Sequence, residues 1–329
     1  MATDRWFDRD RGQLIIVAAL VLAVVFVALA LVLNSAIFTE NVSTRETGDE
    51  GSLAVSVDDA FAETSVRLDY VNANHNDSEA TVNRAFTTAM ADWSSGIAAT
   101  HASMGAAFGL TVDDRVNGSA LKQTDEDRPF TSGGDETAWT LVSDASRLAG
   151  FELVVDRDDL DDGETVDDLR SDSFHLEFDD GTETWQLYVF DDGGSVTVFS
   201  GTESAVASAS DLDDLDSCTT GADPARIDLS AGTLGGEPCA ALEFESAVSE
   251  AVDVRYANAD RVTGTYELFV ADDGDAEVQS EHFGAFDDSP YEVAALYSVT
   301  VTVQLARDDV DHERTQPVFA ADETYVVAA

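Results

Sequence analysis

The chain changes its pattern of hydrophobic and polar positions twice. Residues 14–33 are twenty consecutive apolar residues, and as a helix this run would be about 30 Å long, the thickness of a bilayer's hydrocarbon core. Residues 43–73 and 78–109 then repeat apolar side chains at the spacing of one helix face. Beyond about residue 136 the period becomes two, which is typical of half-buried strands and is clearest in residues 297–305.

Turn sequences separate the period-two segments. Residues 179–182, Asp-Asp-Gly-Thr, predict a hairpin between strands at 174–178 and 185–189. The same reasoning predicts shorter strands at 195–200 and 266–270. Between the helical and the period-two regions, residues 110–135 are polar and acidic, a composition that predicts a linker or long loop.

These patterns predict the α+β fold class, with a single N-terminal transmembrane helix, membrane-proximal helices and a mainly antiparallel β ectodomain. The predicted divisions are a cytoplasmic stub or leader (1–12), the transmembrane helix (13–36), a membrane-proximal helical region (37–109), an acidic linker (110–135) and a β-rich extracellular domain (136–329).

The flanks of the apolar run predict its orientation. Three arginines, Arg5, Arg9 and Arg11, precede it, whereas only Arg45 follows it closely. Because basic residues stay on the cytoplasmic side, the N-terminus is expected inside and residues 34–329 outside. The run is longer than the roughly 7–15 apolar residues of a cleaved secretory signal. We therefore expect it to anchor the chain, with the lipid bilayer as the partner of Leu14 to Leu33.

The charge of the chain is strongly one-sided. There are 66 acidic residues against 17 basic ones, a net charge of −49, and Lys122 is the only lysine. An acidic, lysine-poor surface predicts work in molar salt, where the Debye length falls to about 3 Å and self-repulsion is screened. Nucleic acid is not an expected partner, because binding its phosphates relies on Lys and Arg.

The sequence holds two cysteines, Cys218 and Cys239. Outside the cytoplasm thiols oxidise, so the default prediction is one disulfide between them. No histidines cluster near them in the sequence, which disfavours a zinc site.

No catalytic motif is visible. The densest carboxylate cluster, Asp156–Asp168, places Leu160 where an EF-hand needs an oxygen ligand, so we expect a solvated acidic loop. Five scattered histidines form no HExxH pair, and GxSxG, Walker and dinucleotide-binding patterns are missing from the sequence. We therefore predict no catalytic residue, cofactor or metal ligand. An extracellular enzyme stays open as an alternative, and it would need a pocket where a histidine meets a carboxylate and a nucleophile.

Three sequons lie on the expected outer side, at Asn41, Asn76 and Asn117. All fall in the membrane-proximal third of the chain, at predicted turns or element ends. They are candidate sites of N-glycosylation.

The segment Asp10-Arg11-Gly12-Gln13-Leu14, followed at once by the apolar run, resembles the class III signal of archaeal type IV pilins and archaellins. The resemblance implies cleavage after Gly12, with Gln13 as the new N-terminus and the apolar helix retained for packing in a filament core. Val17 departs from the glutamate that many members carry at the fifth mature position, and the head is larger than that of a typical major subunit.

We therefore expect a single-pass, N-in cell-surface protein of an extreme halophile with a non-catalytic structural or interaction role. A minor pilin-like envelope subunit, associating with like subunits or other envelope proteins, is the specific form that the resemblance implies. The alternative is a membrane-tethered extracellular domain that binds a ligand or cation at its acidic loops.

Overall fold

The computed structural model describes residues 56–329 except residues 164, 244–250, 273, 287, 308–309, 322–323 and 327–329. These residues contain four α-helices: α1 (residues 56–74), α2 (Glu79–Ser103), α3 (Val166–Asp172) and α4 (Glu203–Ser208). They also contain sixteen strands: β1 (Ala107–Gln123), β2 (Trp139–Ala145), β3 (Arg147–Val155), β4 (His175–Asp179), β5 (Thr184–Asp191), β6 (Val196–Thr202), β7 (Asp216–Thr220), β8 (Ala225–Asp228), β9 (Thr233–Leu234), β10 (Glu237–Pro238), β11 (Val252–Ala257), β12 (Gly264–Ala271), β13 (Glu277–Val278), β14 (Tyr291–Arg307), β15 (Val310–Phe319) and β16 (Thr324–Val326).

The strands form two antiparallel sheets. The first, sheet A, runs β10-β9-β8-β3-β12-β1-β14-β15, with β16 also paired to β3. The second, sheet B, runs β13-β2-β11-β4-β5-β6-β7. Apolar side chains from both sheets share one buried core, with Leu121, Leu153 and Leu268 from sheet A and Leu187 and Val254 from sheet B. The architecture is a β-sandwich.

Helices lie on the outer face of each sheet. Helix α2 buries Val82, Phe86 and Met90 and packs against β1 and β14. Its N-cap is Ser78, whose hydroxyl accepts a hydrogen bond from the Thr81 amide. On sheet B, α3 and α4 bury a smaller apolar cluster, composed of Leu169, Tyr188, Phe190, Phe199 and Val206.

Helix α1 is fixed to sheet A by a buried asparagine. The Asn72 side-chain amide donates to the carbonyl of Leu296 at 3.0 Å and accepts from its amide at 2.9 Å. Strand β15 pairs with β14 only from Ser298 onward. Asn72 therefore satisfies the backbone of Leu296 next to the place where β15 ends, much as a neighbouring strand would.

The α+β prediction is wrong, because the described residues are mostly antiparallel strand. The predicted acidic linker is the main source of the error, since residues 110–123 belong to the seventeen-residue strand β1. Bulges between Val112 and Asp114 and between Val116 and Asn117 shift its pairing with β14. The first bulge inserts Asp113 into β1 and so interrupts the alternation of its side chains, whereas the second places the extra residue, Tyr297, on β14.

The strands predicted from strict alternation are confirmed. Residues 174–178, 185–189, 195–200, 266–270 and 297–305 correspond to β4, β5, β6, β12 and β14 within a residue or two at most ends, and β14 is longer than predicted. In contrast, the second helix ends at Ser103 and not near Gly109, because Ala107–Gly109 already pair with β14.

The predicted transmembrane run, residues 14–33, lies outside the described residues. Within the described part of the chain, no helix combines the length and the apolar character needed to cross a bilayer.

Candidate functional site

A groove of about 870 Å³ lies on the outer face of sheet A. Its floor is a row of side chains from five neighbouring strands. The strand register places these five residues opposite one another in the order Asp228, Glu152, Glu267, Lys122 and Tyr291. The chain neighbours of Asp228, Glu152 and Glu267 point the other way, into the sandwich core. Helix α1 supplies one end of the groove.

Three carboxylates are adjacent in this row, an arrangement that is unfavourable by itself. Two cations compensate it. Arg226 lies 2.5 Å from Glu152 and 3.4 Å from Asp228, and Lys122 forms a close ion pair with Glu267. Burial raises the pKa of Glu152 despite Arg226, and the charges of Asp228 and Glu267 raise it further. The row is thus a charged surface that could hold a small cation or a ligand of mixed charge.

The groove is not arranged as a metal centre. Across the described residues, no three His, Cys, Asp or Glu side chains are grouped so that they could share a metal ion. The carboxylates of the row sit on different strands and face Arg226 and Lys122.

A second polar cluster lies on the outer face of sheet B around His175, which is only 7% exposed. Its Nε2 is 3.5 Å from Glu177, and its ring stacks on Tyr188 at 4.4 Å. The hydrogen bond with His175 lowers the pKa of Glu177 against its burial, and Gln186 and Arg255 lower it further. Burial and the charge of Glu177 raise the pKa of Tyr188 to about 12.

This cluster has a histidine and a carboxylate but no activated nucleophile. The other ring nitrogen of His175, Nδ1, faces the Ser173 carbonyl at 3.2 Å. Both ring nitrogens are therefore occupied, and neither is available to take a proton from a hydroxyl.

His282 sits in a similar arrangement near the start of β2. Its Nδ1 is 2.9 Å from the Thr140 carbonyl, and its Nε2 is 3.2 Å from Glu136. The Ser132 hydroxyl donates to the same Glu136 carboxylate at 3.3 Å. The carboxylate thus lies between serine and histidine, which is the wrong order for histidine to activate the serine.

The acidic loop at residues 156–168 uses its carboxylates for local structure. Asp156 accepts from the Asp158 amide, Asp168 accepts from Thr165, and Asp159 accepts from Thr263. Arg157 bridges to Asp223 at 2.9 Å. Asp156 thus caps the turn that follows it and Asp168 bonds to the N-cap residue of α3, whereas Asp159 and Arg157 make tertiary contacts.

The two cysteines meet at the edges of the sandwich. Cys218 lies in β7, at one edge of sheet B, and Cys239 follows β10, at one edge of sheet A. They form a disulfide with a Cα–Cα distance of 5.8 Å. The bond therefore joins the two sheets, a consequence of the topology that the sequence spacing does not reveal.

The other predicted site residues fall in different places. Gly12, Gln13 and Asn41 lie outside the described residues. Asn76 lies in the turn between α1 and α2 and donates to the Asn72 carbonyl. Asn117 is in strand β1 and not in a turn, and its amide bonds to Glu79 and Asn83 of α2. A glycan on Asn117 would therefore interfere with a contact between α2 and the sheet, and glycosylation of all three residues stays a prediction.

Residues 8–134 are similar to a family of unknown function (DUF7261). The match runs from before the apolar run to just beyond β1, and it covers less than half of the chain. No curated protein and no solved structure matches this chain. The principal strand partners of β1, β12 and β14, lie beyond the matched segment. In this structure strand β1 of the matched segment is thus part of a larger sheet, whose other strands lie outside the match.

Sequence reasoning missed the charged groove. Lys122 was visible as the only lysine, but its neighbours Glu267 and Glu152 are distant in the chain. Only the strand register brings them together, and no local pattern of the sequence reveals that register.

Proposed function

We propose that the chain is a single-pass, N-in cell-surface protein of an extreme halophile with a non-catalytic structural or interaction role. The observation that carries the proposal is the apolar run Leu14–Leu33 behind three arginines, followed by a strongly acidic chain. A pilin-like envelope subunit, cut after Gly12, is the more specific form of this proposal, and it rests on the N-terminal resemblance.

The described residues support a structural role in two ways. First, α1 follows the proposed anchor in the chain and is held to β14 through the buried Asn72. A pulling force on the chain would therefore be transmitted to strand β14 at Leu296. Second, the disulfide connects the edges of the two sheets, so the sandwich resists being opened there.

A non-catalytic role is further supported by the two histidine clusters. In each, the ring nitrogens are held by a carboxylate and a backbone carbonyl. The arrangement stabilises the fold, and it leaves no histidine base next to a nucleophile in either cluster.

Localisation tests this proposal. The full chain with a C-terminal epitope tag would be produced in a halophilic host, and intact cells would be treated with a protease active in high salt. We expect the protein in the membrane fraction and the tag lost from intact cells. A matched variant lacking residues 14–33 should leave the membrane fraction. A wild-type protein that stays soluble and protected inside the cells would contradict the proposal.

A second candidate function is binding of a ligand or cation by the membrane-tethered domain. The charged groove favours it, because its row of three carboxylates outnumbers the two cations, Arg226 and Lys122, that pair with them. Calorimetric titration with calcium chloride and with putrescine in molar KCl tests it. Binding that is lost in Glu152→Gln would support the groove as the site, and no heat with either probe would count against this function.

A further inference from the structure

The only lysine of the chain occupies a special position in the groove. Lys122 has a side chain only 15% exposed, and its Nζ lies 5.6 Å from the centre of the Phe269 ring. It forms a close ion pair with Glu267, its direct partner across β1 and β12. The other sixteen basic residues are arginine, which would serve an ordinary ion pair equally well. A lysine at this position therefore points to a reaction that an amine can undergo and a guanidinium cannot.

A second carboxyl group stands next to this pair. Glu152 is directly opposite Glu267 on the neighbouring strand β3, so the order across the sheet is Glu152, Glu267 and Lys122. Burial and the neighbouring carboxylates raise the pKa of Glu152. Its protonated form is thus more populated than that of an ordinary surface glutamate, and a protonated carboxyl can act as a general acid.

We propose that Lys122 and Glu267 condense to an intramolecular amide that joins β1 to β12 covalently. The Lys122 Nζ bonds to Glu267 Cδ, and one carbon–oxygen bond of that carboxylate breaks. The ammonium loses two protons, and the departing oxygen gains two and leaves as water. Glu152, which stands beside Glu267, donates a proton to the departing oxygen and is reprotonated from solvent, which takes up the protons that Nζ releases and supplies the second proton of the water. No oxidant or other reactant is needed.

The geometry lowers the barrier to a reaction that free amine and carboxylate do not undergo at a useful rate. The two groups are held together by paired strands, and reactants fixed in this way behave as if their concentration were roughly 10⁵–10⁸ M. The partial burial of Lys122 by Phe269 also limits water around the nucleophile. The resulting bond would fix β1, which contacts α2 and also pairs with β14, to the strand beside it.

Peptide mass mapping of the full-length protein tests this inference. The protein would be purified in molar KCl, denatured, reduced and digested with trypsin. An unlinked chain releases residues 116–122 and 262–307 as separate peptides. A linked chain is not cut at Lys122, and it yields residues 116–147 joined to 262–307, one water lighter than their sum. Complete release of residues 116–122 from the wild type would overturn the proposal without need of any variant.

Three variants identify the groups involved. Lys122→Arg keeps the positive charge and Glu267→Ala removes the acceptor, and both should abolish the joined peptide while circular dichroism stays unchanged. Glu152→Gln should slow the appearance of the link in newly made protein by roughly 100-fold or more, the usual contribution of general acid catalysis. A link that forms in Glu152→Gln as fast as in the wild type would overturn the role of Glu152.

Discussion

Replacing Asn72 by leucine should strongly destabilise the sandwich. Leucine has the same branched shape and number of side-chain heavy atoms as asparagine, but it cannot bond to the backbone of Leu296. Asn72 is 2% exposed and Leu296 is fully buried, so water cannot easily replace the two lost hydrogen bonds. The substitution therefore leaves one buried amide and one buried carbonyl without partners.

The expected cost follows from these two groups. An unsatisfied buried polar group costs about 1–3 kcal/mol, so two of them cost roughly 2–6 kcal/mol, and added apolar burial of the leucine offsets part of this. We expect a net loss of about 3 kcal/mol, against a total stability of about 5–15 kcal/mol for a typical domain. In a domain of this size that loss lowers Tm by roughly 6–12 °C.

Thermal unfolding of the protein in molar KCl measures this loss, and amide hydrogen exchange at Leu296 shows where it arises. The matched control is Asn74→Leu on the same helix, because Asn74 is exposed and bonds only to the Tyr70 carbonyl. It should change stability by less than about 0.5 kcal/mol. If Asn72→Leu behaved like this control, or if Leu296 exchange did not accelerate, the reasoning about Asn72 would be refuted.

Three further predictions concern the disulfide, acid stability and salt. The double variant Cys218→Ser, Cys239→Ser should lose about 3 kcal/mol of unfolding free energy, as expected for a loop of this length, and denaturant unfolding that matches the oxidised wild type would contradict this. The lowered pKa of Glu177 means that its contribution is complete above the unfolded value near 4.5 and is lost as the pH falls through the lower folded value. Below pH 4.5 the wild type should thus lose stability more steeply than Glu177→Gln, and parallel pH profiles would argue against this pair. Dilution of KCl to about 0.1 M increases the Debye length to about 10 Å. Tm should then fall steeply, because the net charge of −49 is less screened. A Tm independent of salt would contradict destabilisation by self-repulsion.

The sequence predicted those strands whose side chains alternate without interruption. Residues 297–305 alternate strictly because the apolar positions of this part of β14 face the core, whereas the polar positions between them are less buried. Strand β1 escaped prediction because a bulge at Asp113 interrupts its alternation and because it carries a polar, partly acidic stretch around Asp113 and Asp114. Its stability comes from backbone pairing with β12 and β14, which leaves little trace in composition.

The candidate site was less predictable than the fold. Glu267 and Lys122 are far apart in the chain, and only the register of β1 against β12 makes them partners. The burial of His175 was also not predictable from the sequence, because the ring that stacks on it belongs to Tyr188 in the next strand. Local patterns identify elements, whereas sites of this kind depend on which elements become neighbours.

The N-terminus of the mature protein tests the central proposal most directly. Mass spectrometry of the N-terminal peptide from the membrane fraction should identify Gln13 as the first residue, with residues 14–33 retained. A Gly12→Ile variant should keep the leader, since the proposed signal needs a small residue before the cut. An intact Met1 or Ala2 end in the wild type would contradict the pilin-like processing, and an N-terminus beyond residue 33 would contradict the membrane anchor itself.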